Sequence, residues 1–226
     1  MGVSMSYSHA HNDPTFNQVF ATYYDECWND TLWDVRASGT GSDCKAIGID
    51  SSHPGVIELI TGTDTGGKAS ANFTNRSGSN AGNFVFGGNY TYKAYIDIPV
   101  LATGGDDYDL YIGQTDGWVF GTPFDGAYLR YDRATSLNWL TVTVNTGVAT
   151  STDSGVAVTT GWHTVMIVGT ASGATFYVDG VSLGTNTTHL PTATLNLNSF
   201  LVFKTAGTTS RTFYQDYFFY MQQVSR

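Results

Sequence analysis

The chain has 226 residues, a net charge of −9 and only 13% charged residues, while glycine (26), tyrosine (14) and phenylalanine (13) are abundant. A chain of this length suits a single all-β sandwich or barrel, and the composition favours strands and turns over helices. The negative charge disfavours a nucleic-acid partner, since no basic stripe offsets repulsion from a phosphate backbone, and it disfavours an anionic membrane for the same reason.

Residues 1–24 stand apart from the rest of the chain, because they show no regular hydrophobic period and end in the aromatic run Phe20–Tyr24. We interpret them as an N-terminal arm for anchoring or oligomerisation, and residues 25–226 as the folded domain. Neither a signal peptide nor a transmembrane helix is predicted. Cys27 and Cys44 could pair across adjacent strands, but synthesis in a cytoplasm favours buried thiols.

From Asp25 onward, the sequence predicts short strands separated by turn signals. In chain order, the predicted strands fall within residues 56–62, 83–100, 104–114, 126–133, 138–145, 161–170, 174–185, 198–207 and 211–223. We count roughly ten to fourteen strands, and their regular spacing indicates a two-sheet antiparallel sandwich. No helical period persists over three turns, and no fixed-period repeat indicates a solenoid or a propeller.

The clearest turn signal lies in the stretch TFYVDGVSLGT, residues 175–185. Asp179-Gly180 separates two runs of alternating residues, and a type I′ hairpin turn needs positive φ at both central positions. Glycine adopts positive φ freely and aspartate tolerates it. Asp179 is therefore predicted to be a turn residue, since a catalytic carboxylate would need a second carboxylate nearby.

Four segments carry a resemblance to a known family. FYVDGVSLGTNTTHLPT (176–192) resembles the strand–Asp-Gly–strand unit of concanavalin A-like lectin/glucanase jelly rolls. Residues 53–73, 125–168 and 204–220 are similar, in the same order, to stretches of structural and tail-associated proteins of bacteriophages. The resemblance covers residues 25–226 and implies a curved two-sheet jelly roll that serves in a virion or tail and, in some members, recognises surface glycans.

Catalytic motifs of the resembled family are missing from the sequence. Its glycosidases carry a Glu-x-Asp-x-x-Glu strand, whereas this chain has two glutamates, Glu26 and Glu58, far apart in sequence. Hydrolysis of a glycosidic bond needs two carboxyl groups at a defined separation. No Gly-x-Ser-x-Gly, His-Glu-x-x-His or phosphate-binding loop motif is present either. We therefore predict that the protein is not an enzyme.

A glycan site would need exposed aromatic rings with polar neighbours for the hydroxyl groups. We expect such side chains on one face of two adjacent strands and on the loop before them. The predicted carbohydrate-binding residues are Trp118, Tyr128, Arg130, Trp139 and Thr141.

An acidic loop at residues 104–109 contains Asp106, Asp107 and Asp109. Carboxylates grouped in a loop are ligands that Ca²⁺ prefers, so these three form a candidate calcium site. The spacing does not match an EF-hand, and a solvated acidic loop is the favoured interpretation. We predict no other cofactor.

The sequence as a whole predicts a non-enzymatic structural protein of a bacteriophage virion: a capsid decoration, a head fibre or a tail-associated jelly roll. The expected partners are other virion proteins or further copies of the chain, with a trimer as one arrangement, and a glycan of the host surface. The expected location is the virion surface, after synthesis in the host cytoplasm without a signal peptide. A carbohydrate-binding lectin or adhesin is the main alternative, and a polysaccharide-degrading enzyme is the weaker one.

Overall fold

The computed structural model describes residues 19–25, 27, 33–73, 84–117 and 125–224, and these residues form strands and connecting loops. In chain order, the strands are β1 (Val19–Asp25), β2 (Trp33–Ser38), β3 (Ser42–Ile47), β4 (Val56–Thr61), β5 (Lys68–Phe73), β6 (Phe84–Val85), β7 (Tyr90–Ile98), β8 (Tyr108–Thr115), β9 (Gly126–Asp132), β10 (Asn138–Asn145), β11 (Val148–Ala157), β12 (Gly161–Thr170), β13 (Gly173–Val178), β14 (Val181–Asn186), β15 (Thr194–Leu195), β16 (Asn198–Lys204) and β17 (Thr212–Val224). Within these ranges, no helix is long and apolar enough to cross a membrane.

Two antiparallel sheets form the sandwich. Sheet A has the strand order β14-β13-β12-β7-β17-β4-β3, and β1 also pairs with β17. Sheet B has the order β11-β10-β9-β8-β16-β5-β2, while β15 and β6 form a short separate pair. The predicted all-β fold, a two-sheet antiparallel jelly-roll sandwich, is confirmed.

The last residues of the predicted N-terminal arm form a strand of sheet A. β1 pairs with the C-terminal half of β17, from Val19 opposite Val224 to Asp25 opposite Phe218. Residues 19–24 therefore belong to the sheet, which corrects the boundary placed after residue 24. Residues 1–18 lie outside the described part of the chain, and the anchoring role of the arm stays a prediction.

Among the described strands, six have no counterpart among the predicted ones: β1, β2, β3, β5, β11 and the two-residue β15. β5 is largely buried but consists mainly of alanine, serine and asparagine, which are not strong strand formers. β11 is a mostly exposed edge strand rich in serine and threonine, so its hydrophobic alternation is weak. Cys27 and Cys44 are both buried and are not joined by a disulfide, as the prediction of buried thiols requires.

The core lies between the two sheets and follows the period of two along each strand. In β7, the buried and half-buried residues alternate along the whole strand. Its inward side chains, predicted to share one face, are Tyr92, Ala94, Ile96 and Ile98. Each large side chain that is fully buried in this layer contributes about 1.5–3 kcal/mol of hydrophobic stabilisation.

A buried hydrogen-bonded cluster joins the sheets through Tyr92 and Gln215 of sheet A and Asn198 of sheet B. The Tyr92 hydroxyl donates to Asn198 Oδ1 at 2.5 Å. Asn198 Nδ2 donates to Gln215 Oε1 at 3.2 Å, and Gln215 Nε2 donates back to Asn198 Oδ1 at 3.0 Å. All three side chains are fully buried, so these bonds satisfy polar groups that would otherwise be costly in the core.

The predicted β13–β14 hairpin is confirmed in its backbone geometry. Asp179 and Gly180 have φ angles of 51° and 80°, as a type I′ turn requires. The Asp179 carboxylate also accepts a hydrogen bond from the Thr164 amide at 2.8 Å and lies 2.8 Å from His163 Nδ1. Asp179 thus shapes the turn and ties it to β12.

We predict that Asn198→Ala lowers the free energy of unfolding by about 3 kcal/mol, because it leaves buried polar groups of Tyr92 and Gln215 without a partner. Chemical denaturation of the purified variants measures this loss. Asn89→Ala is the matched control, since Asn89 is exposed and bonds Gln223 at the surface. An equal loss in both variants would contradict a role for the buried cluster.

Candidate functional site

The predicted carbohydrate-binding residues do not share one face of sheet B. In the β9–β10 ladder, Arg130 pairs with Leu140 and Leu129 pairs with Thr141. Tyr128 and Arg130 therefore lie on the outer face, whereas Trp139 and Thr141 point toward sheet A. The predicted grouping is wrong because it needs Arg130 to lie opposite Trp139 or Thr141. The observed register places Leu140 there, and a shift of one residue moves a side chain to the other face of the sheet.

Burial closes three of these side chains to a ligand. Tyr128, Trp139 and Thr141 are at most 2% exposed. Thr141 instead bonds the buried Asn186 of β14, with its hydroxyl 3.2 Å from Asn186 Oδ1 and its carbonyl accepting from Asn186 Nδ2 at 3.1 Å. Trp118 lies outside the described residues, so its predicted role in glycan binding stays a prediction.

Arg130 forms an ion cluster on the outer face of sheet B. One guanidinium nitrogen lies 2.7 Å from Asp109 and 2.8 Å from Asp132, and the guanidinium lies 5.3 Å from the centre of the Tyr111 ring. Burial raises the pKa of Asp109, although Arg130 works in the opposite direction. The charge of Arg130 is thus compensated within the protein and serves first to stabilise buried carboxylates.

The three carboxylates of the predicted calcium site point to different partners. Asp106 lies 3.0 Å from Arg211, Asp107 accepts the Tyr108 amide at 3.0 Å, and Asp109 binds Arg130. In the described part of the chain, no group of three or more histidine, cysteine or acidic residues could hold a metal ion. The predicted calcium site is not formed because β8 directs the Asp109 side chain to the outer face of sheet B, whereas the Asp106 side chain points to Arg211.

The outer face of sheet A carries a column of stacked rings, which we call the aromatic ladder: His53, Trp162, Tyr95 and Tyr217. His53 and Trp162 are stacked with ring centroids 4.1 Å apart and planes 7° apart. Trp162 and Tyr95 follow at 4.8 Å and 23°, and Tyr95 and Tyr217 at 5.8 Å and 25°. All four side chains are half-buried, in contrast to the closed side chains of sheet B.

Strand register and one bulge place these rings together. Tyr95 lies directly opposite Tyr217, and Asp97 lies between Trp162 and Tyr214. Between Gln215 and Tyr217, β17 contains one extra residue relative to β7, so inward and outward positions exchange there. The residue at the bulge, Asp216, then lies 3.0 Å from His53 Nδ1.

Acidic oxygens accompany the rings of the ladder. Burial raises the pKa of Asp97, and His53 and His163 partly oppose this effect. Among the described residues, no lysine or arginine forms an ion pair with Asp97. A face with half-exposed rings and an acceptor that lacks a cationic partner can hold a ligand that offers both apolar ring faces and hydroxyl donors.

Part of this site was visible in the sequence. The alternation of β7 predicts that Tyr95 and Asp97 share the face opposite its core residues, and this is confirmed. The contribution of His53 was missed, because it comes from a loop that no local pattern connects to β12. Trp162 was missed because the order of strands in the sheet, not the sequence, makes β12 the neighbour of β7.

No protein-family model and no curated protein matches the chain. Solved structures share its fold. A protein of unknown function from Shewanella oneidensis MR-1 is 16% identical with a TM-score of 0.60, and the match covers 91% of this chain and 87% of that one. The β-glucanase of Bacillus licheniformis is 13% identical with a TM-score of 0.59, covering 88% and 97%.

The binding domain of botulinum neurotoxin serotype D is a further structural neighbour. It is 14% identical with a TM-score of 0.50, and the match covers 84% of this chain and 43% of that one. Together, these similarities show a two-sheet jelly-roll fold that a glucanase and a toxin binding domain also have. At such low identity they show the fold alone.

We predict that Arg130→Met lowers the free energy of unfolding by about 3 kcal/mol at neutral pH, because Asp109 loses the cation that compensates its buried charge. The pKa of Asp109 then rises further above its value in the unfolded chain. A carboxylate with a raised pKa in the folded state is penalised above its unfolded pKa, and the penalty fades as pH falls through the folded pKa. The loss should therefore shrink when pH is lowered from about 7 to about 5.

Denaturation at the two pH values measures this effect, with the double variant Asp109→Asn/Arg130→Met as the control. The double variant removes both charges and should recover most of the stability lost in the single variant. A pH-independent loss that the second substitution fails to recover would show that packing of Arg130, not its charge, matters.

Proposed function

We propose that the protein is a non-enzymatic, glycan-binding jelly roll that forms part of the surface of a bacteriophage virion. The observation that carries glycan binding is the aromatic ladder beside Asp97 on the outer face of sheet A. Sugars have apolar ring faces and many hydroxyl groups, and a ligand of this kind suits half-exposed rings flanked by carboxylates. The fold supports this proposal because two proteins that share it are named for such roles, one as a β-glucanase and the other as a toxin binding domain.

The proposal excludes catalysis because the chain lacks the Glu-x-Asp-x-x-Glu strand that glycosidases of the resembled family carry. Of the acidic groups near the ladder, Asp216 is engaged by His53 and Glu58 lies 3.5 Å from Lys45. Glycosidases use two carboxyl groups at a defined separation, and no strand motif of this chain supplies such a pair. An assay for new reducing ends on β-glucan is expected to remain at background.

The virion context rests on the order of the three sequence segments, 53–73, 125–168 and 204–220, that resemble phage structural proteins. The proposed partners are other virion proteins or two further copies of the chain in a trimer, with a host-surface glycan as the ligand. We predict that mass spectrometry of purified particles from the source detects this chain and that antibodies against the folded domain label the particle surface. Absence from particles, with the chain present in the surrounding lysate, would favour the free lectin or adhesin.

We predict that Trp162→Ala and Tyr95→Ala each weaken glycan binding at least tenfold, since central aromatic side chains dominate the free energy of binding at such sites. A glycan array identifies the ligand, and isothermal titration measures the affinity of each variant. Phe203→Ala is the matched control, because Phe203 is a half-buried ring that pairs with Asp109 on sheet B. If Phe203→Ala weakened glycan binding as much as the other two variants, the aromatic ladder would not be the binding site.

A further inference from the structure

The loop that joins β3 to β4 lies against the aromatic ladder and is held mainly by its own hydrogen bonds. Within residues 48–54, which we call the cover loop, the amides of Ser52 and His53 donate to Asp50 Oδ1 at 2.7 and 2.9 Å. The amide of Ile49 donates to the carbonyl of His53 at 3.0 Å. The loop is exposed except for His53, so it is a compact turn rather than a buried part of the sandwich.

His53 connects this turn to the face of sheet A. Among the described residues, the hydrogen bond between His53 Nδ1 and Asp216, at 3.0 Å, is the one that joins a residue of the cover loop to the sheet. The second contact is the stack on Trp162, with a centroid separation of 4.1 Å and planes nearly parallel. One side chain therefore supplies both interactions.

The imidazole of His53 occupies a ring face that a ligand would need. Tyr95 packs near Trp162 at 4.8 Å, and His53 stacks on the indole at 4.1 Å. A planar ring stacked on an indole and hydrogen-bonded to a carboxylate makes the same two kinds of contact that a sugar ring makes with its apolar face and a hydroxyl group.

We infer that the cover loop is a lid, and that a glycan binds by taking the place of His53 on Trp162 and Asp216. This inference rests on the proposed function of the same face. Because the loop keeps its internal hydrogen bonds when His53 leaves, opening costs one hydrogen bond and the stacking of the imidazole on Trp162 and, at 6.1 Å, on Tyr95. The incoming sugar replaces these contacts. The lid closes the face when no glycan is present.

The same geometry selects the class of glycan. When His53 leaves, the carboxylates of Asp97 and Asp216 both face the ligand, and no lysine or arginine forms an ion pair with either of them among the described residues. The chain also has a net charge of −9. The open site therefore accepts an uncharged sugar, whose hydroxyls donate to the carboxylates, and repels a sialylated or uronic one.

His53→Ala tests the lid. A closed lid reduces the apparent affinity by the fraction of molecules that are open, so removing His53 should tighten binding roughly tenfold. The probes are neutral β-gluco-oligosaccharides and a sialylated oligosaccharide, measured by titration with wild type and variant. Ile49→Ala is the matched control, because Ile49 is an exposed residue of the same loop, and its substitution should leave the affinity unchanged.

The outcomes separate the lid from the proposed function. Tighter binding of neutral oligosaccharides by His53→Ala supports the lid, whereas unchanged or weaker binding, with wild type still binding, overturns it and leaves glycan binding standing. Stronger binding of the sialylated probe overturns the selection for uncharged sugars. Absence of binding by wild type and by His53→Ala overturns the proposed function itself.

A second measurement does not depend on a variant that folds. In the closed state, the ring current of Trp162 shifts the resonances of the His53 ring in the NMR spectrum. Saturation of wild-type protein with a neutral oligosaccharide that binds should move these resonances toward those of a free imidazole. Resonances that stay shifted at saturation would show that His53 remains stacked, and would overturn the lid.

Discussion

The hydrogen bonds of Tyr92, Asn198 and Gln215 determine how the two sheets meet. The reciprocal bonds between Asn198 and Gln215 can form only if β16 and β17 face each other at these residues. Because an unpaired amide in the core would lose its hydration without compensation, sliding one sheet over the other breaks the whole cluster at once. Hydrophobic residues around the cluster tolerate small shifts, so the polar residues supply the specificity of the sandwich.

The bulge after Gln215 connects this core constraint to the surface. Up to Gln215, the odd-numbered residues of β17 point inward, but beyond the bulge the buried side chains are Phe218 and Tyr220. Without the extra residue, Tyr217 would enter the core and Phe218 would face outward. The bulge therefore allows one strand to hold the buried Gln215, a second apolar segment and the outward Asp216 and Tyr217. The aromatic ladder is thus a consequence of how β17 fits both the core and β7.

Sequence patterns predicted the features that depend on neighbouring residues along the chain. The φ angles at Asp179 and the alternation of β7 are local, and both were predicted correctly. Trp139 and Arg130 lie on opposite faces of sheet B because of the register between β9 and β10. The alternation of apolar and polar residues along each strand does not determine that register. The bulge at Asp216 and the contact of His53 with Trp162 depend on packing between distant segments. For this reason the fold could be predicted from the sequence, whereas the predicted binding residues included buried structural ones.

The two outer faces differ in what their charged groups already bind. On sheet B, Arg130 compensates Asp109 and Asp132, so a ligand would have to break interactions that stabilise the fold. On sheet A, the described residues leave Asp97 without such an ion pair, and His53 is held by contacts that a sugar can replace. A binding face must offer groups whose partners can be exchanged at little cost. This difference, rather than the number of aromatic residues, favours sheet A as the face of the proposed glycan site.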